Sequence, residues 1–363
     1  MHKKGLGIKH KIIQESYRQF RKAETALHPL NYLFWECTLR CNLSCLHCGS
    51  DCHVDSEIPD MPADVFLNEM EHIAQKYDPT EIMVVITGGE PLLRKDLPEI
   101  GFRLRKMGFR WGIVTNGYAL RPEIYNKLIN SGLGAITLSL DGQEADHNWI
   151  RNREDAYSKA MNALGLILST PRVQSDVVSC VNKRNIYQLP DVYEDLKSRG
   201  LKAWRLFTIT PIGRARDYPE LDLSADEFNY LMKFIQAKRE EDSDLIVNFS
   251  CESYVGPYEG KVRDSFFFCR AGINIGSILA DGSVSACPNI DRELIQGSIY
   301  ESRFTEIWEK RFELFRDRSW MQTGSCKNCK EFKYCGGSGL HWWRMSDKHI
   351  LKCHFSQIQN PIY

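Results

Sequence analysis

Cys41-Asn-Leu-Ser-Cys45-Leu-His-Cys48 sets three thiols on one short stretch, spaced by three and by two residues. Three thiolates can hold three irons of a 4Fe–4S cube and leave the fourth iron open to a bidentate ligand, such as an amino group with its carboxylate. Cys37 and Cys52 flank the stretch, so the same run can also offer a fourth thiolate and close a zinc or ferredoxin-like site. Spacing leaves that choice open. A second set lies far along the chain, with Cys251, Cys269, Cys287, Cys326-x2-Cys329-x5-Cys335 and Cys353. Only Cys180 stands between the two sets. Thirteen cysteines in 363 residues, an odd number behind an opening MHKKGLGIKHK that lacks an apolar signal segment, favour metal or redox chemistry over a disulfide framework.

The elements that must carry these groups follow from hydrophobic periodicity. Short β-branched runs alternate with amphipathic stretches and predict strands over 32–36, 82–87, 111–115, 135–140, 173–181 and 203–210. Helices are expected over 62–76, 96–107, 122–131, 157–169, 189–198 and 226–241. Eight such units close a barrel, so six predict an α/β fold of the open, partial (β/α)6 type, with its reactive groups at the C-terminal strand ends. The pattern changes after 241, where runs over 275–279 and 283–286 flank Ala280-Asp281-Gly282 as a hairpin before a helix over 304–316. We expect a barrel over 31–241 and a small cysteine-rich α+β domain over 242–363, preceded by an extension over 1–30. In that extension Ile13, Tyr17, Phe20, Ala23 and Leu27 recur at helical spacing, with Lys11, Arg18, Arg21 and Lys22 mostly elsewhere. Such a basic helix can dock on acidic lipid or an acidic peptide, but the expectation is packing against the barrel with a solvated outer face.

Three of the strand ends share a chemistry. The second strand ends in Thr87-Gly88-Gly89-Glu90-Pro91, the third in Thr115-Asn116-Gly117 and the fourth in Ser139-Leu140-Asp141-Gly142. Glycine there lets a ligand approach the backbone, whose carbonyls can accept from an ammonium group together with Glu90. Ser139 and Asp141 suit ribose hydroxyls. Any one of these is an ordinary strand-to-helix turn; their succession on consecutive strands points to a binding site.

Residues 31–241 resemble the radical SAM superfamily, through the C-x3-C-x2-C loop with His47 before its last cysteine, the Gly-Gly-Glu-Pro segment, and Ser-Leu-Asp-Gly followed by His147 and Arg151. The resemblance implies that Cys41, Cys45 and Cys48 hold the cluster and that Gly88, Gly89 and Glu90 position the methionine amine of S-adenosylmethionine. It places Ser139, Asp141 and Arg151 against ribose or carboxylate. Asn116, Asn182 and the Pro211 to Ala215 segment would also line the cofactor. The alternative for His147 and Arg151 is a surface ion pair on a loop.

About 250–363 resembles the SPASM extension, which carries auxiliary iron–sulfur clusters in peptide-modifying radical SAM enzymes. By that resemblance Cys326, Cys329, Cys335 and Cys353 form one complete four-thiolate cluster, against a zinc-ribbon alternative. The pattern departs four residues beyond Cys335, where Gly339 stands in place of an expected cysteine. The second auxiliary site then keeps Cys269 and Cys287 and recruits Cys251, giving three ligands and an open iron, or binds no cluster. Cys37, Cys52 and Cys180 read as buried free thiols or loop residues.

The two resemblances together imply an enzyme that reductively cleaves S-adenosylmethionine and abstracts hydrogen from a peptide or protein side chain, leading to a crosslink, a thioether or an oxidation. A reductant such as flavodoxin or ferredoxin is the expected electron donor. Pro288 after Cys287 departs from the aspartate that sulfatase maturases carry there, and no separate leader-binding domain is expected before residue 31. The alternatives are a radical SAM enzyme acting on a small molecule such as a tetrapyrrole side chain, and a non-enzymatic zinc or iron–sulfur protein. Forty-seven Lys and Arg balance forty-seven Asp and Glu, so no whole-protein field favours nucleic acid or a membrane surface. With no membrane span or secretory signal in the sequence, the expected location is the cytoplasm. The Gly339 to Trp343 segment is expected to face the substrate, unless its tryptophans are core between the domains.

Overall fold

The computed structural model describes residues 8–241, 244–250 and 252–358. Seven parallel strands form its centre: β1 (Tyr32–Glu36), β2 (Met83–Thr87), β3 (Arg110–Thr115), β4 (Ala135–Ser139), β5 (Gln174–Val181), β6 (Ala203–Thr208) and β7 (Ile246–Phe249). They pair in chain order. Because all seven run the same way, Glu36, Thr87, Thr115, Ser139, Val181, Thr208 and Phe249 end on one rim. Helices α2 (Ala63–Lys76), α3 (Leu97–Lys106), α4 (Pro122–Asn130), α5 (Glu144–Arg151), α6 (Ala156–Leu168), α7 (Leu189–Ser198) and α8 (Ala225–Glu240) follow the strands. The sequence explains where they start. Pro122 opens α4 at a position that needs no N–H partner, and Ser224 with Glu227 forms a capping box on α8. The core is sealed by large rings: Trp35 of β1 stacks on Phe66 of α2 with centroids 3.9 Å apart, and both are fully buried.

The α/β partial-barrel architecture is present, and the sheet runs past the six expected strands on both sides. Strand β7 lies beyond residue 241 yet pairs with β6. On the other flank β8 (Ile275–Ile278) joins parallel to β1, and the hairpin partner β9 (Ser283–Ser285) and then β10 (Gly297–Ser298) extend the sheet. One ten-stranded sheet therefore carries both cysteine-bearing regions. Glu36 at the end of β1 accepts from the Ala280 N–H at 3.2 Å and pairs with Arg292 at 2.9 Å, which fixes the hairpin to the same rim. The expected helix over 304–316 is broken at Phe312 into α9 (Phe304–Arg311) and α10 (Glu313–Arg316).

Helix α1 (Ile8–Leu27) docks through the face of Gln14, Tyr17 and Arg21, which adjoins the apolar stripe and shares Tyr17 with it. Ile13, Phe20 and Leu27 are exposed. Gln14 donates to the Tyr254 hydroxyl at 2.7 Å, and Arg21 donates to the carbonyls of Phe267 at 3.3 Å and Lys333 at 3.0 Å. The helix thus rests on the cysteine-rich region, by these hydrogen bonds and by the Tyr17 ring 5.6 Å from that of Phe266, rather than on the barrel. No described helix is long and apolar enough to cross a membrane.

Candidate active site

The loop after β1 brings Cys41, Cys45, Cys48 and Cys52 into one packed group around Leu43, apart from the main core. Cys37 belongs to the main core instead, and its carbonyl accepts from Arg94 at 3.0 Å. The loop closes on itself where the Cys41 N–H donates to the His53 carbonyl at 2.6 Å. Arg214 clamps it from the segment after β6. Its Nε donates to the Cys45 carbonyl and its Nη1 to the Cys52 carbonyl, each at 2.9 Å, while its backbone N–H reaches the Cys48 carbonyl at 3.0 Å. Gly213 is required beside it: φ is +56°, and a Cβ there would meet the Cys48 carbonyl oxygen at 2.4 Å.

The glycines of the second strand end serve a close approach of a different kind from the one expected. A Cβ on Gly88 would meet the Thr38 carbonyl at 2.2 Å, and one on Gly89 the Arg40 carbonyl at 2.2 Å. The space is used by the chain that leads into the cysteine loop, held by Gly89 N–H to Thr38 O at 2.8 Å and Glu90 N–H to Arg40 O at 2.9 Å. Glu90 is fully buried, and its carboxylate accepts from Thr115 Oγ1 at 2.7 Å, Leu92 N at 3.1 Å and Asn116 N at 2.8 Å. Burial raises the Glu90 carboxyl above its ordinary range, against those three bonds.

Asp141, at the end of β4, is the hub of the opposite wall. Its Oδ1 accepts from the Cys180 N–H at 2.8 Å, its Oδ2 pairs with Arg151 at 2.6 Å, and His47 Nε2 lies 3.7 Å away. Arg151 and His147 sit on α5, buried, rather than on a surface loop. His147 Nδ1 accepts from the Asp141 N–H at 3.0 Å, so its proton is on Nε2. Although burial alone would raise Asp141, the Arg151 guanidinium and the two imidazoles hold its carboxyl below the usual range. Burial pushes His47 down to about 4 and His147 to about 3, so both rings are neutral at neutral pH. Ser139 ends β4 beside these groups, and Asn182 is spent on a turn, donating to the Cys180 carbonyl at 3.1 Å and accepting from Arg184 N at 2.9 Å.

Two of the three thiols have a side-chain nitrogen donor of their own. Asn116 Nδ2 lies 3.8 Å from Cys41 Sγ and Arg151 Nη1 lies 3.7 Å from Cys45 Sγ, while the Cys52 thiol donates to the Ser50 carbonyl at 3.9 Å. The neighbouring Cys52 thiol draws Cys48 below its ordinary value against burial, while burial pushes Cys41 up to about 12. Three clustered thiols, two buried with nitrogen donors and one half-buried, fit an iron–sulfur cluster held by three cysteines. Of the two flanking cysteines that could offer a fourth thiolate, Cys52 packs with this group and Cys37 does not.

In the C-terminal region Cys326, Cys329, Cys335 and Cys353 come together: Cys326 feels the charges of Cys353 and Cys329, and Cys335 those of Cys353 and Cys326. Cys335 also accepts from the backbone of Ser338 and Gly337. Cys269 is buried, Cys287 partly so, and Cys251 lies outside the described residues. A Cβ at Gly339 would meet the His341 ring at 2.5 Å and the Glu252 carbonyl at 2.6 Å, so the place of the expected cysteine is filled. Trp342 and Trp343 are core, as the alternative for that segment held, and His341 Nε2 lies 3.6 Å from Glu252.

Residues 35–171 match the radical SAM superfamily, and residues 269–330 match SPASM, an iron–sulfur cluster-binding domain. The chain carries a radical SAM domain followed by a SPASM region. It therefore uses S-adenosylmethionine and a 4Fe–4S cluster, and its SPASM region binds auxiliary iron–sulfur clusters. It is 25% identical to an AdoMet-dependent heme synthase of Nitratidesulfovibrio vulgaris over 92% of this chain and 93% of that one. It is 27% identical to the mycofactocin maturase MftC of Mycolicibacterium smegmatis, over 90% and 82%. The radical SAM enzyme also shares its fold with anSMEcpe bound to AdoMet and a peptide, with a TM-score of 0.70 at 17% identity over 91% and 95% of the two chains. Streptococcus suis SuiB superposes with a TM-score of 0.67 at 14% identity over 92% and 82%.

Proposed function

We propose that this radical SAM enzyme abstracts hydrogen from a peptide or protein side chain and that Cys41, Cys45 and Cys48 hold its first cluster. When bound, that cluster supplies the electron that breaks the sulfonium of S-adenosylmethionine and so frees the hydrogen-abstracting carbon radical. The chain's own groups orient and enclose. Glu90 keeps one of a carboxylate's roughly four lone pairs unused, on Oε2, which suits the methionine ammonium. Gly88 and Gly89 hold the backbone there, and Asn116, Ser139, Asp141, Arg151 and Asn182 form the wall against which the rest of the cofactor lies. A low-potential donor such as flavodoxin or ferredoxin delivers the electron.

The observation that carries the peptide reading is the state of the buried cations. The charge of Arg151 is paired with Asp141, that of the half-buried Arg214 with Asp51 at 2.7 Å, and Arg263 lies in the field of Glu259 and donates to the Ser253 carbonyl at 3.0 Å, although each keeps one N–H without a partner. A macrocycle bearing several carboxylates asks for cations that are not already spoken for. The tetrapyrrole reading is favoured by the heme synthase relative, which spans nearly the whole chain. Anaerobic turnover decides between them. A substrate peptide deuterated at the reacting side chain should pass its label into 5′-deoxyadenosine. Consumption of iron-coproporphyrin with matching 5′-deoxyadenosine, and no response to peptides encoded near the gene, would replace the peptide reading.

A further inference from the structure

We propose that Arg21 of α1 is a positioning residue for the auxiliary iron–sulfur cluster, tying the loop that carries Cys335 to the segment that carries Cys269 and raising the cluster's reduction potential by its charge. The inference rests on the reading of Cys326, Cys329, Cys335 and Cys353 as the ligands of one four-thiolate cluster. Arg21 joins two stretches that are far apart in sequence. Its guanidinium donates to the carbonyls of Lys333 at 3.0 Å and of Tyr334, the two residues before Cys335, and to the carbonyl of Phe267 at 3.3 Å, two residues before Cys269. The rest of the docking face of α1 converges on the same stretches. Gln14 donates to the Tyr254 hydroxyl at 2.7 Å, which donates in turn to the carboxylate of Glu331 at 2.8 Å, between Cys329 and Cys335. Glu24 accepts from Asn274 at 3.0 Å, five residues past Cys269. The three acceptors of Arg21 are carbonyls, which carry no net charge to offset the guanidinium. Glu259, the buried carboxylate at Phe267, is taken up by the backbone N–H groups of Val255 at 2.8 Å and Phe267 at 2.6 Å. A 4Fe–4S cube with four thiolates is an anion, and more so once reduced. A half-buried cation fixed at its ligand loop therefore favours the reduced state and moves the potential upward. The planar fork of a guanidinium, unlike an ammonium, also holds several acceptors in one fixed geometry.

The test is a potentiometric EPR titration of the full chain with all clusters in place, following the signal that Cys335→Ala removes. Arg21→Gln, which keeps a donor and loses the charge, should retain the parent's iron content while the midpoint of that signal falls, and Arg21→Lys, which keeps the charge, should bring it back toward the parent. An unchanged midpoint in Arg21→Gln, or equal midpoints in the Gln and Lys variants, overturns the role. Hydrogen exchange of the parent gives a second reading that needs no Arg21 variant. A cluster stabilised by a group on α1 holds α1 in return, so exchange over 12–27 should slow when the clusters are loaded. Equal exchange with and without clusters overturns the inference, also where Arg21→Gln loses its iron and has no midpoint to read. Cys335→Ala separates the two levels. Parent iron and every parent signal in that variant would remove the ligand assignment itself, whatever Arg21 does.

Discussion

Arg151 and Asp141 pair at 2.6 Å with side chains only 9% and 1% exposed, and the same guanidinium reaches Cys45 Sγ at 3.7 Å. One buried cation therefore links the wall after β4 to the cysteine loop. Replacing it strands a carboxylate in a low-dielectric site. Arg151→Ala should cost roughly 3 to 5 kcal/mol of folding free energy, the usual penalty for removing one partner of a buried pair. Asp141→Asn with Arg151→Met should recover much of that loss, because no unpaired charge remains. Urea unfolding of the cluster-free chain measures both, and a loss below about 1 kcal/mol in Arg151→Ala would place the pair among ordinary surface bridges.

Replacing Cys41, Cys45 and Cys48 together by Ala should abolish cleavage of S-adenosylmethionine and remove about four irons, the content of one cube. The parent should then hold about eight irons with one auxiliary cluster or about twelve with two. Iron analysis beside an assay for 5′-deoxyadenosine checks this. Cys251→Ala distinguishes the auxiliary cases, since iron above eight that does not fall in the variant excludes Cys251 as a ligand.

The imidazole of His147 gives stability a pH dependence with a definite sign. Its folded-state value is depressed to about 3 by burial, and its neutral Nδ1 accepts the Asp141 N–H. Between about 6.5 and that value the unfolded chain binds a proton that the folded chain refuses, so stability falls as pH falls. His354, fully buried and held well below its ordinary value by burial, acts in the same direction. Each pH unit of that window is worth up to about 1.4 kcal/mol per group. Thermal unfolding at pH 7 and pH 5 should show a drop that His147→Gln reduces; an unchanged slope would mean that the ring titrates normally.

The strands that bear the site were legible because parallel, doubly covered strands are written as β-branched runs, as in the Met83 to Thr87 stretch. Their common rim followed from their common direction. Less legible were contacts whose partners are far apart in sequence. Nothing local tells Gly89 that its neighbour is Arg40, or Arg214 that it will hold Cys45 and Cys52. Helix α5 was missed because Glu144 to Arg151 is short and polar, although Asn152 at φ +53° ends it as a left-handed cap would. The apolar spacing of α1 misled for another reason. Gln14 and Arg21 gain specific partners that periodicity does not score.

Gly339 supplies the last prediction. The expected cysteine of the SPASM pattern is missing there, and restoring it looks at first like a way to complete a second auxiliary cluster. The structure argues otherwise: the Cβ of Gly339→Cys would lie 2.5 Å from the His341 ring and 2.6 Å from the Glu252 carbonyl, the second of which is backbone and cannot swing aside. The substitution should add no iron and should destabilise the chain by roughly 1 to 3 kcal/mol, as overpacking does. Combining it with His341→Ala relieves one clash and leaves the other, so the double variant should recover only part of that loss. Iron content and thermal unfolding of the two variants decide the matter, and a gain of about four irons in Gly339→Cys alone would show that the segment can move to accept a ligand.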